Sequence, residues 1–332
     1  MPNVVEAETL VRDALVWDNH TCLPLRPNDH DFFGRLATVA AAGVNVISVN
    51  VGFGPVPLKQ HEAMIAGLTR WLASAGDWCR LVHSVADIEA AHAHGKLAVF
   101  FDVEGMAPLD EGGEALIEPW RKAGVGWMLV AYNATNRAGA GCTEETDNGL
   151  TEHGKRILAE MRRVGMIACC SHTGHRTAME VMDQAGAPVI FSHSNPSAVF
   201  AHYRNIPDYL IRACAETGGV VGINGIGSFL GEGPASVARL ADHIEHVASI
   251  VGTDHVGLGL DYVFDKQELV DYLAAMPEIF PDATSLENAT STIGPEQVVE
   301  IAVELLDRGA DETAVRKILG ENWLRVAREV WR

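Results

Sequence analysis

The chain has 332 residues, 48% hydrophobic and 21% charged, an ordinary globular composition with room for one large barrel or two smaller domains. Its formal net charge of −19 repels phosphate backbones and anionic membrane surfaces, which argues against nucleic acid and membrane as partners. No apolar run approaches the ~20 residues that span a bilayer, and the start Met1-Pro2-Asn3-Val4-Val5-Glu6 has no basic segment leading into an apolar one, so a cytoplasmic protein is expected.

In chain order, residues 5–15 read as a short amphipathic helix and 15–20 as the first strand. The second strand is 44–50, β-branched and introduced by Gly43. Helices over 58–75 and 86–94 precede the third, 97–104, and the Gly124-Val125-Gly126 turn precedes the fourth, 127–132. A helix over 150–164 leads to strand five, 166–172, and one over 176–184 to strand six, 188–193. Helix 207–217 gives way at Gly218-Gly219 to strand seven, 220–224, and helix 234–251 leads to strand eight, 255–261. Residues 262–292 read as a long irregular insertion, and the tail from Pro295 to Arg332 as helical.

Continuous apolar runs separated by helices signal strands buried on both faces, hence a parallel sheet. Eight of them predict an α/β fold, the (β/α)8 TIM barrel, as one domain over 1–332 with the insertion near its active face and helices at its C-terminus. An open doubly wound sheet is the competing architecture. Its ligand site would gather at one switch point, whereas here the chemistry is spread over several strand ends.

Six of the eight runs stop at a residue that can ligate a metal or move a proton: His20, Glu104, Tyr132, His172, His193 and Asp261. Closure of a barrel brings those C-terminal ends to one mouth, which points to a metal-dependent hydrolase. A lone histidine closing a strand is more often a capped structural residue. His172 and His193, each after a serine on consecutive strands, point instead to a shared ion. Glu104 lies between apolar Val103 and Gly105, where an unpaired carboxylate is costly, and its strand falls where a bridging ligand belongs. Asp261 ends the strand beside the first and suits a base that collects a proton and returns it to the leaving amine.

Other candidates read as bland. His92 with His94, and His243 with His246, are taken as solvated helix surface, and His175 either lines the site or caps its helix. Gly225 to Gly231 is one residue too long for a dinucleotide loop, with no clear helix start. Ser171 and Ser192 lack a nucleophile elbow and suit strand-end hydrogen bonding. The six cysteines are scattered, and most are expected to be core thiols.

Taken together, these residues resemble the membrane dipeptidase (renal dipeptidase) family of zinc peptidases, within the amidohydrolase-type barrels. The resemblance runs over nearly the whole chain. It rests on Asp18-Asn19-His20 before Leu23-Pro24, Val103-Glu104-Gly105, Asp147-Asn148-Gly149-Leu150-Thr151 and Ser171-His172. Pro188 to Asn195, Arg204-Asn205-Ile206-Pro207-Asp208, Gly259-Leu260-Asp261 and Leu319 to Val326 complete it. The resemblance implies a binuclear zinc site, usually in a homodimer, that cleaves dipeptides and tolerates a D-residue at the C-terminal position. For this chain one or two zinc ions are expected, with hydrolysis of a dipeptide or related amide through a metal-bound hydroxide. It implies that His20 ligates one zinc, Glu104 bridges, His172 and His193 hold the second, Arg204 meets the substrate carboxylate and Asp261 shuttles the proton.

Two positions depart from the family pattern. Where it has His-x-Asp, this chain has His20-Thr21-Cys22, and a Cys22 thiolate is a softer metal ligand. Where it has a carbonyl-polarising histidine, this chain has Tyr132, whose hydroxyl would donate to the oxyanion or reshape the pocket. An altered one- or two-metal site acting on a non-peptide amide, an N-acyl amino acid or a lactone is therefore the alternative substrate reading. A catalytically silent barrel that binds a ligand or partner is the non-enzymatic one.

Overall fold

The computed structural model describes residues 4–281 and 286–331. Eight parallel strands form the barrel, numbered here β1 Trp17–Cys22, β2 Val46–Phe53, β3 Leu97–Glu104, β4 Val125–Leu129, β5 Ile167–Cys169, β6 Val189–Ile190, β7 Val221–Ile223 and β8 Val256–Leu258. Their spatial order is β6-β5-β4-β3-β2-β1-β8-β7. A parallel bridge between Phe191 and Val221 joins the two ends of that order and closes the ring. The TIM-barrel expectation holds.

The period of two along each strand explains why these sequences fit a barrel. In β3, Ala98, Phe100, Asp102 and Glu104 alternate with Val99, Phe101 and Val103. The latter three join the apolar layer under the helices, while Ala98 and Phe100 pack with Trp17, Val46 and Trp127 in the second cluster. Side chains therefore fill the lumen at one end and become polar at the other. The C-terminal helix Asn322–Val330 covers the apolar end: Trp323 donates from Nε1 to the Leu258 carbonyl at 3.0 Å, and Trp331 to that of Gly126 at 3.2 Å. Gly257 is required there, because an added Cβ would lie 2.6 Å from Trp323.

Several expectations need correction. Strand pairing stops short of the expected ends in β4, β5, β6 and β8, so Tyr132, His172, His193 and Asp261 sit two to three residues beyond the last paired residue. His172 and Asp261 have φ of +61° and +57°, and a left-handed residue cannot continue a strand. The stretch expected to be irregular over 262–292 contains the helix Lys266–Ala275, capped by Asp265, whose carboxylate accepts from the Gln267 and Glu268 amides. It also contains the helix Leu286–Thr290, while 282–285 lie outside the described residues. A four-residue helix, Gly227–Leu230, starts where none was expected.

His243 is not surface: it is fully buried, with Nε2 3.1 Å from the Leu230 carbonyl, and its helix packs that face inward. His246 and His92 are half-buried rather than solvated, and His246 pairs with Asp208 at 2.9 Å. No helix among the described residues is long and apolar enough to cross a membrane.

Candidate metal centre and active site

At the polar mouth, the end of β3 places Glu104 among three histidines. Its Oε1 lies 3.5 Å from His20 Nε2, 3.4 Å from His172 Nε2 and 3.2 Å from His193 Nε2. His172 Nε2 and His193 Nε2 are 2.9 Å apart. His20 and His193 stack with ring centroids 4.1 Å apart. Asp261 Oδ1 is 3.4 Å from His20 Nε2, and Cys22 Sγ is 3.5 Å from each of those atoms. The structure thus gathers His20, Cys22, Glu104, His172, His193 and Asp261 around one point.

The outer nitrogens of the three rings are already engaged. His172 Nδ1 is 2.7 Å from Asn133 Oδ1, an acceptor because Asn133 Nδ2 donates to the Ile279 carbonyl. His193 Nδ1 is 2.8 Å from Ser192 Oγ, which donates on to Ser171 Oγ. His20 Nδ1 faces the buried Asp102 carboxylate at 3.4 Å. With Nδ1 donating in each case, the Nε2 atoms of His172 and His193 present lone pairs, and that of His20 does so once a cation has displaced its proton.

Glu104 Oε1 itself is buried without a hydrogen-bond partner. Bare acceptors facing one another at such distances repel unless a proton or a metal cation lies among them. These residues therefore fit a metal, and the imidazole and carboxylate donor set suits zinc.

Electrostatics separate the members of the cluster: His172 and His193 stay neutral, while His20 and Glu104 hold protons that a bound cation would displace. Burial first, then Arg204 for His172 and the charge on His20 for His193, hold both imidazoles well below the ordinary value, so a proton does not take the cation's place between them. Burial opposes charge on His20 too, but Glu104, Cys22 and Asp102 outweigh it and raise its pKa well above the ordinary value. Burial pushes Glu104 up to about 8, with Asp261 and Asp102 adding to the rise against the pull of His20. Burial first, then Glu104 and Asp261, keep the Tyr132 phenol protonated far above its usual range.

The cluster opens into a cavity of about 150 Å³. Tyr132 lies flat on His172, centroids 4.1 Å apart, and lines that cavity with Phe53, Phe229 and Leu23. The insertion supplies the facing wall through Leu269, Tyr272, Leu273 and Phe280. Arg204 reaches the same space from the loop after β6. It is 3% exposed, donates from one terminal nitrogen to the His193 carbonyl at 3.3 Å, and rests 5.3 Å from the Phe229 ring centre. Its Nε has no partner, and no carboxylate among the described residues pairs with it. A buried guanidinium with no carboxylate beside it has the planar donor fork that suits an anionic group.

His175 is exposed at the start of the helix His175–Ala185 and does not line the cavity. Ser171 and Ser192 tie strand ends together, as expected: Ser171 Oγ accepts the His193 amide at 3.1 Å. Four cysteines, 79, 169, 170 and 214, are buried free thiols.

Sequence reasoning missed the polar partners around the cluster. Asp102 takes hydrogen bonds from Ser48 Oγ at 2.5 Å and Asn50 Nδ2 at 3.0 Å, while Asn50 also donates to Glu104 Oε2 at 3.2 Å. Asn224 donates to Asp261 Oδ2 at 2.8 Å. A signal existed for Asp102: two residues before Glu104 on a strand, it must share that residue's face.

The family model of membrane dipeptidase (peptidase family M19) matches residues 58–279, well over half of the chain. Dipeptidase tcpJ of Claviceps purpurea is 29% identical over 267 residues, 79% of this chain and 58% of that protein. The uncharacterized dipeptidase C965.12 of Schizosaccharomyces pombe is 34% identical over 182 residues, 53% of this chain and 44% of that protein. The chain thus spans about half the length of these curated relatives.

Among solved structures, an amidohydrolase from Pseudomonas aeruginosa superposes with a TM-score of 0.87 at 28% identity, covering 98% of this chain and 99% of that one. A metallopeptidase from Rhodobacter sphaeroides, bound to a phosphinate mimic of L-Ala-D-Ala, gives 0.78 at 20% identity over 96% and 100%. At that identity the second likeness shows the fold alone. Through the match over 58–279, the chain belongs to the membrane dipeptidase family.

Proposed function

We propose that the protein is a zinc-dependent hydrolase of dipeptidase type, cleaving the amide bond of a small substrate that carries a free carboxylate and apolar side groups. The observation that carries this reading is the meeting, in one cavity, of an unsatisfied acceptor cluster and an unpaired buried guanidinium. The names of the relatives support the same reaction class. Zinc, one or two ions per chain, supplies Lewis acidity toward the scissile carbonyl and the attacking water when bound.

In this reading His20, Cys22 and Glu104 hold one position, and Glu104, His172 and His193 the other. Arg204 fixes the substrate carboxylate and so orients the amide toward the cluster. Tyr132, kept protonated by its burial, donates a hydrogen bond to the oxygen that becomes negative. Asp261 carries the proton: Asn224 occupies one lone pair of Oδ2, leaving another to take the water's proton and return it to the leaving amine. The aromatic and aliphatic walls exclude water and favour bulky apolar side chains. The reading extends to a homodimer in the cytoplasm, which sedimentation and fractionation check.

The test is turnover of a panel of dipeptides of both chiralities, alongside N-acyl amino acids and lactones, by the metal-analysed protein. Dipeptide hydrolysis is expected, with His193→Ala and Asp261→Asn slower by roughly 100-fold or more. Variants as fast as wild type, or turnover confined to the non-peptide compounds, would refute the proposal.

A further inference from the structure

The two halves of the cluster differ in chemistry. Around Glu104, His172 and His193 only nitrogen and oxygen converge. On the other side His20 Nε2, Cys22 Sγ and Asp261 Oδ1 form a triangle with edges of 3.5, 3.5 and 3.4 Å. Zinc–sulfur bonds of about 2.3 Å and zinc–nitrogen or zinc–oxygen bonds of about 2.0–2.1 Å, at tetrahedral angles, set sulfur about 3.6 Å from its neighbours and nitrogen about 3.3 Å from oxygen. The triangle therefore has the dimensions of one face of a tetrahedral site. A fourth donor is at hand: Glu104 Oε1, buried and without a partner, lies 3.5 Å from His20 Nε2.

We infer that this chain builds a thiolate-bearing metal position from Cys22, His20 and Asp261, distinct in donor type from the sulfur-free position at His172 and His193. The inference rests on the metal-dependent reading of the same site. On metal binding, the Cys22 S–H bond breaks, its proton leaves to solvent, and the sulfur lone pair forms the metal–sulfur bond. Asp261 ligates through Oδ1 and keeps Oδ2 for the proton. A sulfur ligand favours borderline and soft ions, zinc, cobalt or cadmium, over magnesium and manganese. Two unlike positions would also fill in order rather than together.

Cobalt(II) titration of the metal-free full chain tests this by absorption rather than by turnover. The expected result is a near-ultraviolet thiolate-to-cobalt charge-transfer band beside the visible ligand-field bands. Cys22→Ser and Cys22→Asp should lose the charge-transfer band, and Cys22→Asp should keep the ligand-field bands as proof of a folded, loaded site. Cys142→Ser, which alters a thiol 3.3 Å from Asn133 Oδ1, and His172→Ala, which disables the other position, should keep the charge-transfer band.

Ligand-field bands without charge transfer in the native chain, or charge transfer that survives in both Cys22 variants, overturn the inference. Failure to bind cobalt at all overturns it together with the metal-dependent reading. A charge-transfer band in a protein that hydrolyses no dipeptide sinks only the proposed function, whereas dipeptide hydrolysis by a cobalt enzyme lacking the band sinks only this inference.

Discussion

Replacing Arg204 with methionine separates recognition from folding. Arg204 is 3% exposed, and its guanidinium has a single 3.3 Å bond to the His193 carbonyl among the described residues and leaves Nε without a partner. In the substrate-free protein that arrangement costs roughly 1–3 kcal/mol for the unsatisfied donor, offset by about 1 kcal/mol from the Phe229 ring. Methionine fills similar volume without charge, so thermal unfolding of Arg204→Met should occur at or above the wild-type midpoint. In the proposed function, the same side chain gains a substrate carboxylate in a dry pocket. Losing it should cost about 2–4 kcal/mol, which is a fall of roughly 30- to 1,000-fold in kcat/KM. The control is built into the chemistry: for dipeptide C-terminal amides, which offer no carboxylate, the two proteins should differ by less than about threefold. Steady-state kinetics on paired acids and amides, with calorimetric melting, give both numbers. Equal losses on acids and amides, or a melting midpoint several degrees lower, would refute the reasoning.

Three further outcomes follow from the same geometry. Asp102→Asn removes the carboxylate that faces His20 Nδ1, and metal affinity measured by chelator competition should weaken by about 10- to 100-fold. An unchanged affinity would mean that Asp102 serves only Ser48 and Asn50. Phe280→Ala removes one aromatic wall of the cavity; kcat/KM should drop by roughly tenfold for a dipeptide with a bulky apolar side chain and little for Gly-Gly. A uniform drop would point to a disturbed site rather than a lost contact. Gly259→Ala would put a Cβ 1.9 Å from the Ser192 carbonyl oxygen, so the neck between β6 and β8 must shift. A loss of about 1–3 kcal/mol or more in denaturant unfolding is expected, and wild-type stability would contradict the packing described.

The local periods of the chain determined the barrel and which residues face its mouth. Runs such as 97–104 have the length and alternation of a strand buried on both sides, and eight of them leave few ways to close. Because a parallel barrel turns every strand C-terminus to one end, His20, Glu104, His172, His193 and Asp261 were legible as one set before any distance was known. What the local pattern could not carry were relations between residues far apart in the chain. Asp102 meets His20 across 82 positions, and Cys22 meets Asp261 across 239. Tertiary packing also buried His243, seated the C-terminal helix under the lumen and turned the insertion into a cavity wall. It left Arg204 without a carboxylate partner among the described residues. Periodicity reports which face a side chain takes, and only the closed ring sets what stands opposite that face and at what distance.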